Sequence, residues 1–366
     1  SRAQVMATNF YPPGAVNGRL HGFEFTFEST PDKTSRHDSF LEPDPDPQEG
    51  ETDSLPDSVE CFPRHFGRTY HAYQAGSYVF PNDAAEQERL DLQSLALTEL
   101  FNGRLHFAPI NEKSTPRRIL DVGTGTGAWA MDMGDSYPEA RIIGVDLSPI
   151  QSNAVPPNVH FYIEDASQEW AWPDPFDYIH TRVLLGSFGD FKTEVIQQSF
   201  DALRPGGWLE SQDFNVEAIS DDGTLLPDSP LARWVYDMNH ASELIGRPLA
   251  RAHLLRQWYE EVGFVDVHER VFKIPLNGWA KHPRHKHVGK LWEQNFLDGL
   301  SGFSLALFTQ VLERKRAEVE LSLVGVRKDI SNIQIHAYQH VWVVWGRKPY
   351  PEEIAAAGPS EDSMAE

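Results

Sequence analysis

Cysteine is nearly absent from this chain: Cys61 is the sole one among 366 residues. A single thiol closes no internal disulfide, so the fold must rest on its core, and the scarcity fits a cytoplasmic or nuclear compartment. A thiol nucleophile is not expected, because no activating base is apparent near Cys61 beyond His65. Long apolar runs are missing as well. None reaches the roughly 18 residues of a membrane span, and no signal-peptide core precedes the folded region. The chain opens on Ser1 rather than Met, as processing or truncation would leave it. Positive charge is scarce: 32 Lys and Arg stand against 54 Asp and Glu, a formal net charge of −22. That balance argues against a nucleic-acid partner held through phosphates and against an anionic membrane surface. No P-loop and no Ser-His-Asp set at a nucleophile elbow is present. In the run His282-Pro283-Arg284-His285-Lys286-His287, cations interleave the imidazoles and oppose a metal, so a solvated basic turn is expected and no metal site.

What the sequence does carry is concentrated at Arg118-Ile119-Leu120-Asp121-Val122-Gly123-Thr124-Gly125-Thr126-Gly127. An apolar run ends in an acid and opens into alternating glycines, and apolar helical residues from Ala128 to Met131 follow. This pattern predicts a buried parallel strand, a tight turn and a helix start, with glycines letting the backbone bend and approach a ligand. Gly123, Gly125 and Ala128 also satisfy the dinucleotide fingerprint G-x-G-x-x-A. The neighbouring acids point elsewhere. Asp121, at the strand end, would repel a pyrophosphate but suits a ligand ammonium. A second run, Ile142-Ile143-Gly144-Val145, ends in Asp146, about 20 residues beyond the turn, where a ribose diol is usually held. A third, His160-Phe161-Tyr162-Ile163, ends in Glu164-Asp165-Ala166. Acids at the carboxyl ends of three successive strands occupy the ligand-binding edge of an open α/β sheet. A cofactor with a sugar diol, an amine and no phosphate fits them: S-adenosylmethionine, with S-adenosylhomocysteine as its product.

Several blocks resemble class I S-adenosylmethionine-dependent methyltransferases: Ile119–Gly127, Gly144-Val145-Asp146-Leu147-Ser148-Pro149, Phe176-Asp177-Tyr178-Ile179-His180 and Leu203-Arg204-Pro205-Gly206-Gly207-Trp208. Gly67-Arg68-Thr69-Tyr70-His71-Ala72-Tyr73, the run Pro81–Asp91, Asp221-Asp222-Gly223-Thr224-Leu225 and Ile335-His336-Ala337-Tyr338 are similar to the fungal LaeA-like branch. The similarity spans roughly residues 62–350. It implies a seven-stranded, mostly parallel Rossmann-like sheet whose last strand runs antiparallel. It further implies that Asp121 lies near the methionine moiety and that Gly123, Gly125 and Gly127 cradle the cofactor. Asp146, with Leu147 beside it, would take the ribose hydroxyls, and Asp165, with Ala166, would approach the adenine. The branch is poorly defined in substrate, so the resemblance names no acceptor.

Hydrophobic residues make up 40% of the chain, enough for one large domain or two small ones. Residues 1–60 are a different material. Twelve acids stand against four bases there, and Pro43-Asp44-Pro45-Asp46-Pro47 lies at the centre. Such a segment buries too little surface to offset its ordering entropy and is expected to be a flexible arm. Within it Gly22-Phe23-Glu24-Phe25-Thr26-Phe27 alternates like a strand seeking a sheet edge, in a second copy or a protein partner. The methyltransferase domain is expected over 61–350, followed by a flexible tail over 351–366. Asp83 and Glu86 resemble a capping box, opening a helix whose apolar face carries Leu90, Leu97 and Phe101. Strands are predicted near 117–123, 140–146, 159–164, Phe176–His180, 208–214, Phe264–Pro275 and Ile335–Trp345. Helices run to about Tyr137 and near 192–203 and 251–262, stopped by Pro138, Pro205-Gly206-Gly207 and Gly263. Strands alternating with helices imply parallel pairing with right-handed crossovers. Two insertions exceed a minimal sheet domain. One is 224–248, with Trp234, Tyr236, Met238 and His240 on a helical pattern. The other is 281–329, with helices around 285–298 and 308–328. Both follow late strands and are expected to form a lid over a flat, apolar acceptor.

Methyl transfer from a sulfonium is an in-line displacement needing little machinery beyond positioning. The base candidates are His180, at the end of the fourth strand, with His71 and Tyr73 in the aromatic segment before the first helix; His240 is a weaker one. Three functions fit: a methyltransferase for a small-molecule oxygen or nitrogen acceptor of secondary metabolism, a LaeA-like regulator with little turnover, or a methyltransferase fold repurposed for cyclisation or rearrangement.

Overall fold

The computed structural model describes residues 17–20, 23–26, 64–70, 81–110, 115–152 and 154–357. Strands β1 (Asn17–Leu20) and β2 (Phe23–Thr26) form an antiparallel hairpin. The Phe-rich strand therefore pairs on one side with its neighbour in sequence. The rest of the arm lies outside the described residues. Strands β3 (Arg64–His65) and β4 (Arg68–Thr69) form a second hairpin, closed by Phe66 and Gly67 at φ 52° and 81°.

Helix α1 (Ala84–Leu100) starts where predicted, with the Asp83 carboxylate accepting from the Glu86 N–H at 3.1 Å. Glu86 does not complete the box. Its carboxylate accepts from buried Arg89 at 2.7 and 2.9 Å, and Arg89 also donates to Gln93 and Asn295. The buried side of α1 is thus half apolar, through Leu97 and Phe101, and half a closed polar network; Leu90 is only partly buried.

Then follow β5 (Arg118–Val122), α2 (Ala128–Ser136), β6 (Arg141–Asp146), β7 (Val159–Ile163) and β8 (Phe176–Arg182). A π-helical turn, Lys192–Gln197, runs into α3 (Gln198–Ala202), and β9 (Leu203–Phe214) and α4 (Pro230–Leu244) come next. Helix α5 (Leu255–Val262) stops at Gly263, whose φ of 108° a side chain would resist. Strand β10 (Val265–Pro275), α6 (Pro283–Ala306), α7 (Arg316–Ile330), β11 (Tyr338–Arg347) and α8 (Pro351–Ala357) complete the chain. The sheet order is β10-β11-β9-β8-β5-β6-β7, parallel throughout except for β11, which runs antiparallel to both neighbours.

The insertions fall where expected, but the first helix of the second is longer, and both are more tightly packed than their sequence suggested. Helix α6 continues to Ala306 and on through a π-turn, Leu307–Val311, before the chain breaks at Glu313 with φ 54°. Its start, His282-Pro283, is a helix opening rather than a solvated turn, because Pro is favoured in the first helical turn. Trp234, Met238, Trp292, Phe296, Leu300 and Leu323 form one core with α1. Trp234 and Met238 are thus committed to packing, and the Trp234 indole donates to Ser304 at 2.8 Å. Tyr236 is 68% exposed with its ring beside His240.

Two motif segments more than a hundred residues apart form a single joint at the root of this insertion. Residues Ile219 and Tyr338 bridge, the Tyr338 hydroxyl donates to Asp221 at 2.7 Å, and His336 Nδ1 meets Asp222 at 2.6 Å.

Candidate functional site

The turn after β5 holds Gly123, Gly125 and Gly127 at φ 66°, 58° and 84°. Their surroundings differ. A Cβ on Gly123 would lie 2.3 Å from Leu184 Cδ2, and one on Gly127 would lie 2.4 Å from Phe161 Cζ. These two glycines admit close packing of neighbouring side chains. At Gly125 the nearest atom would be Leu90 Cδ1, at 3.8 Å. The backbone there faces room, which fits a ligand cradle rather than a packed turn.

Asp146, ending β6, closes the cradle from beside. Its carboxylate accepts from the Gly125 N–H at 2.9 Å and the Ser148 N–H at 3.0 Å, leaving half its lone-pair sites for other donors. Burial pushes its pKa up to about 6, against the pull of those backbone donors. Leu147 follows it, half-buried. Asp165 lies past the end of β7, where Oδ1 accepts from the Ser167 N–H and hydroxyl at 3.0 and 2.7 Å. The next carbonyl, of Ala166, accepts from the Trp170 indole at 2.8 Å.

Asp121 is buried under the turn, with Thr124 Oγ1 donating to one oxygen at 2.6 Å and His180 Nδ1 2.8 Å from the other. Strand register explains this. Asp121 pairs with His180 across β5 and β8, and His180 pairs with Glu210 across β8 and β9. The three line up on one sheet face. The carboxylate can only accept, so Nδ1 carries the proton, and burial holds the imidazole pKa below its ordinary value. His180 is 0% exposed, and its ring stacks on Trp129 at 3.6 Å. A general base must reach the proton it takes; the Nδ1 side of His180 is spent on Asp121, and Nε2 is buried with no hydrogen-bond partner among the described residues. His71 and Tyr73 lie outside the described residues.

The sequence reading missed four contributors. Leu90 and Asp91 of α1 reach the glycine turn, with Thr126 Oγ1 donating to Asp91 at 2.5 Å. Asn82 donates to Ser148 at 3.3 Å, tying the start of α1 to the end of β6. Arg182, two residues beyond His180 on the same face, donates through Nε to Gln212 at 2.8 Å and through Nη1 to Ser94 at 3.2 Å. The signal for Arg182 was an unbroken polar run, His180-Thr181-Arg182, at the carboxyl end of β8 beside Glu210-Ser211-Gln212-Asp213 of β9, where ligands bind in open α/β sheets. Past Arg182, Val183 sits at φ 54°, rare for a β-branched residue. Asp213 steadies the strained corner by accepting from the N–H groups of Leu184 and Leu185 at 2.7 and 3.0 Å.

A family model described as a methyltransferase domain matches residues 92–269. Methyltransferase pytC of Aspergillus terreus is 43% identical over 298 residues, covering 81% of this chain and 91% of that protein. The chain belongs to this methyltransferase family. Within the class I S-adenosylmethionine-dependent enzymes it falls in the LaeA-like branch. The secondary metabolism regulator LAE1 of Cochliobolus heterostrophus is 36% identical over 77% of this chain and 94% of its own length. Among solved structures, a Haemonchus contortus phosphoethanolamine N-methyltransferase 2 with S-adenosylmethionine overlaps at TM-score 0.41 and 16% identity, covering 75% of this chain and 55% of that one. As a member of this family the chain uses S-adenosylmethionine, so its G-x-G-x-x-A match does not mark a dinucleotide site. Among the described residues no helix is long and apolar enough to cross a membrane.

Proposed function

We propose that this methyltransferase acts on an oxygen or nitrogen of a small, largely apolar acceptor of the secondary-metabolite kind. One observation carries the acceptor class. Around the carboxyl ends of β8 and β9, Val183, Phe214, Val216 and Leu249 are half-buried apolar side chains packed against the helical insertion. Such a wall suits a compact apolar ligand better than an extended charged one.

The open backbone at Gly125 and the spare lone pairs of Asp146 support placing the nucleoside there. Asp146 takes the ribose hydroxyls and Asp121 the ammonium, while Asp165, with Leu147 and Ala166, borders the adenine. When bound, the cofactor supplies an electrophilic methyl on its sulfonium. The protein's part is to hold the acceptor atom in line, an effect of about 7–11 kcal/mol at best. His180 acts at one remove, fixing the rotamer of Asp121. A phenol, carboxylate or amine acceptor hardly needs a base; for a weakly acidic hydroxyl, His71 and Tyr73 are the candidates.

The test is transfer of an isotopic methyl from labelled cofactor into a fungal metabolite extract. Label in a small molecule is the expected result. Label confined to protein, or none despite tight cofactor binding, overturns the reading. The regulator named among the relatives supports a second reading, in which residues 1–60 engage a second copy or a protein partner. Undiminished partner capture after removal of residues 1–60 counts against it.

A further inference from the structure

The polar face under the glycine turn contains a cation with no anion bonded to it. Arg182 has five N–H groups. Nε and Nη1 are engaged by the neutral side chains Gln212 and Ser94, whereas Nη2 is buried and has no hydrogen-bond partner among the described residues. Two buried carboxylates stand near, yet neither bonds it. Asp121 accepts from His180 and Thr124, one on each oxygen, which leaves about half of its lone-pair sites. Glu210 accepts from the N–H groups of Phe107 and Ala108 at 2.8 and 2.7 Å and from Gln212 at 2.7 Å. A buried donor left unpaired is costly, and native proteins keep one only where something else supplies its partner.

Two independent placements put Arg182 beside the cradle. Val122 pairs with Thr181, so Arg182 comes level with Gly123, the first residue of the turn. On α1, Leu90 faces Gly125 and Ser94, four residues on, touches Arg182. Residues four apart on a helix lie about 5–6 Å from one another. Arg182 therefore lies alongside the glycine turn, on the same sheet face as Asp121.

We propose that Arg182 binds the carboxylate of the amino-acid end of S-adenosylmethionine, opposite Asp121, which takes the ammonium. An amino-acid zwitterion carries one charge of each sign on a single carbon, and this face offers one unspent cation near one acid. A guanidinium matches a carboxylate in shape as well as charge. This inference rests on the nucleoside placement proposed above and extends it to the far end of the ligand.

Calorimetry with three ligands tests it. S-adenosylhomocysteine has both charges, its decarboxylated analogue keeps only the ammonium, and 5′-methylthioadenosine has neither. Arg182→Gln is expected to weaken S-adenosylhomocysteine roughly 10- to 100-fold, the effect of losing one charge-assisted pair. The other two ligands should move by less than about twofold, which also shows that the variant is folded. Arg182→Lys, which keeps the charge, should fall between. An unchanged affinity for S-adenosylhomocysteine in Arg182→Gln overturns the proposal. So does an equal fall for all three ligands in Arg182→Lys, which would make the residue structural. Failure of the nucleoside placement has a different signature: Asp146→Ala would leave 5′-methylthioadenosine binding intact.

Discussion

The two faces of the central strands bury polar groups in opposite ways. Toward α3 and α5, the strands present Leu120, Val122, Ile179 and Leu209, all fully buried. Near the ends of the strands the hydroxyls on that side satisfy one another, Thr181 and Tyr259 each donating to Ser211 at 2.8 Å, while the buried Ser199 hydroxyl of α3 has no partner among the described residues. Toward α1 and α2, the same strands present Asp121, Tyr178, His180, Arg182, Glu210 and Gln212, and three buried atoms, Tyr178 Oη, His180 Nε2 and Arg182 Nη2, have no hydrogen-bond partner among the described residues. The difference lies at the carboxyl ends of the strands: there Thr181 and Ser211 close on one another on the first face, whereas an imidazole and a guanidinium on the second keep nitrogen atoms without partners. A face that meets a ligand leaves capacity open for it.

The largest effect that could break this contrast is on the closed face. Leu209→Ala should cost about 2–5 kcal/mol of stability, read as a lower melting temperature, because it leaves a cavity in a fully packed layer. Cofactor affinity of the folded fraction should stay within about twofold. If affinity falls in step with stability, the faces are not separate devices. On the open face the expectation reverses. Asp146→Ala should weaken S-adenosylhomocysteine by about 1.5–3 kcal/mol, the range for hydrogen bonds to a charged group. Its melting temperature should move less than that of Leu209→Ala, and calorimetry beside thermal denaturation gives both numbers.

The contrast also marks what could be read before folding. The glycine turn, Asp121, Asp146 and Asp165 were legible because each is tied to a strand end by local spacing. The succession of strands and helices along the chain followed from alternation and the Gly and Pro stops, whereas the seven-stranded sheet with its antiparallel last strand was implied by the family resemblance. The role of His180 was not legible, because its partner is 59 residues away and is chosen by register between two strands. The same holds for the insertions. Trp234, Met238 and the length of α6 depend on packing against α1, from the other end of the domain, and no local pattern distinguishes a core tryptophan from a pocket tryptophan.

Proton linkage gives a third, smaller test. The Asp146 pKa, near 6 in the folded chain, lies above the ordinary unfolded value of about 3.9. Between those limits the native state binds more protons than the unfolded one. The Asp146 contribution to stability is therefore fully present below about pH 4 and is lost as pH rises to about 6. Cofactor affinity should run the other way, because the ionised carboxylate accepts hydroxyl donors more strongly and at more sites than the protonated one: it should fall as pH drops below 6, by at most about tenfold per pH unit. Comparing wild type with Asp146→Asn isolates both trends, and parallel pH profiles in the two proteins would remove Asp146 from the account.

The smallest effect is the sharpest control. Thr181→Val keeps the shape of a fully buried side chain next to Arg182 and deletes only the hydroxyl that donates to Ser211. Ser211 still accepts from Tyr259, so one neutral hydrogen bond is lost, about 1 kcal/mol of stability. Thr181 and Arg182 are adjacent in sequence but point to opposite sides of β8. Substituting Arg182 should change ligand affinity, and substituting Thr181 should change only the melting temperature. A Thr181→Val protein with weakened cofactor binding would mean that the strand transmits strain through its backbone, and that the closed face takes part in holding the ligand.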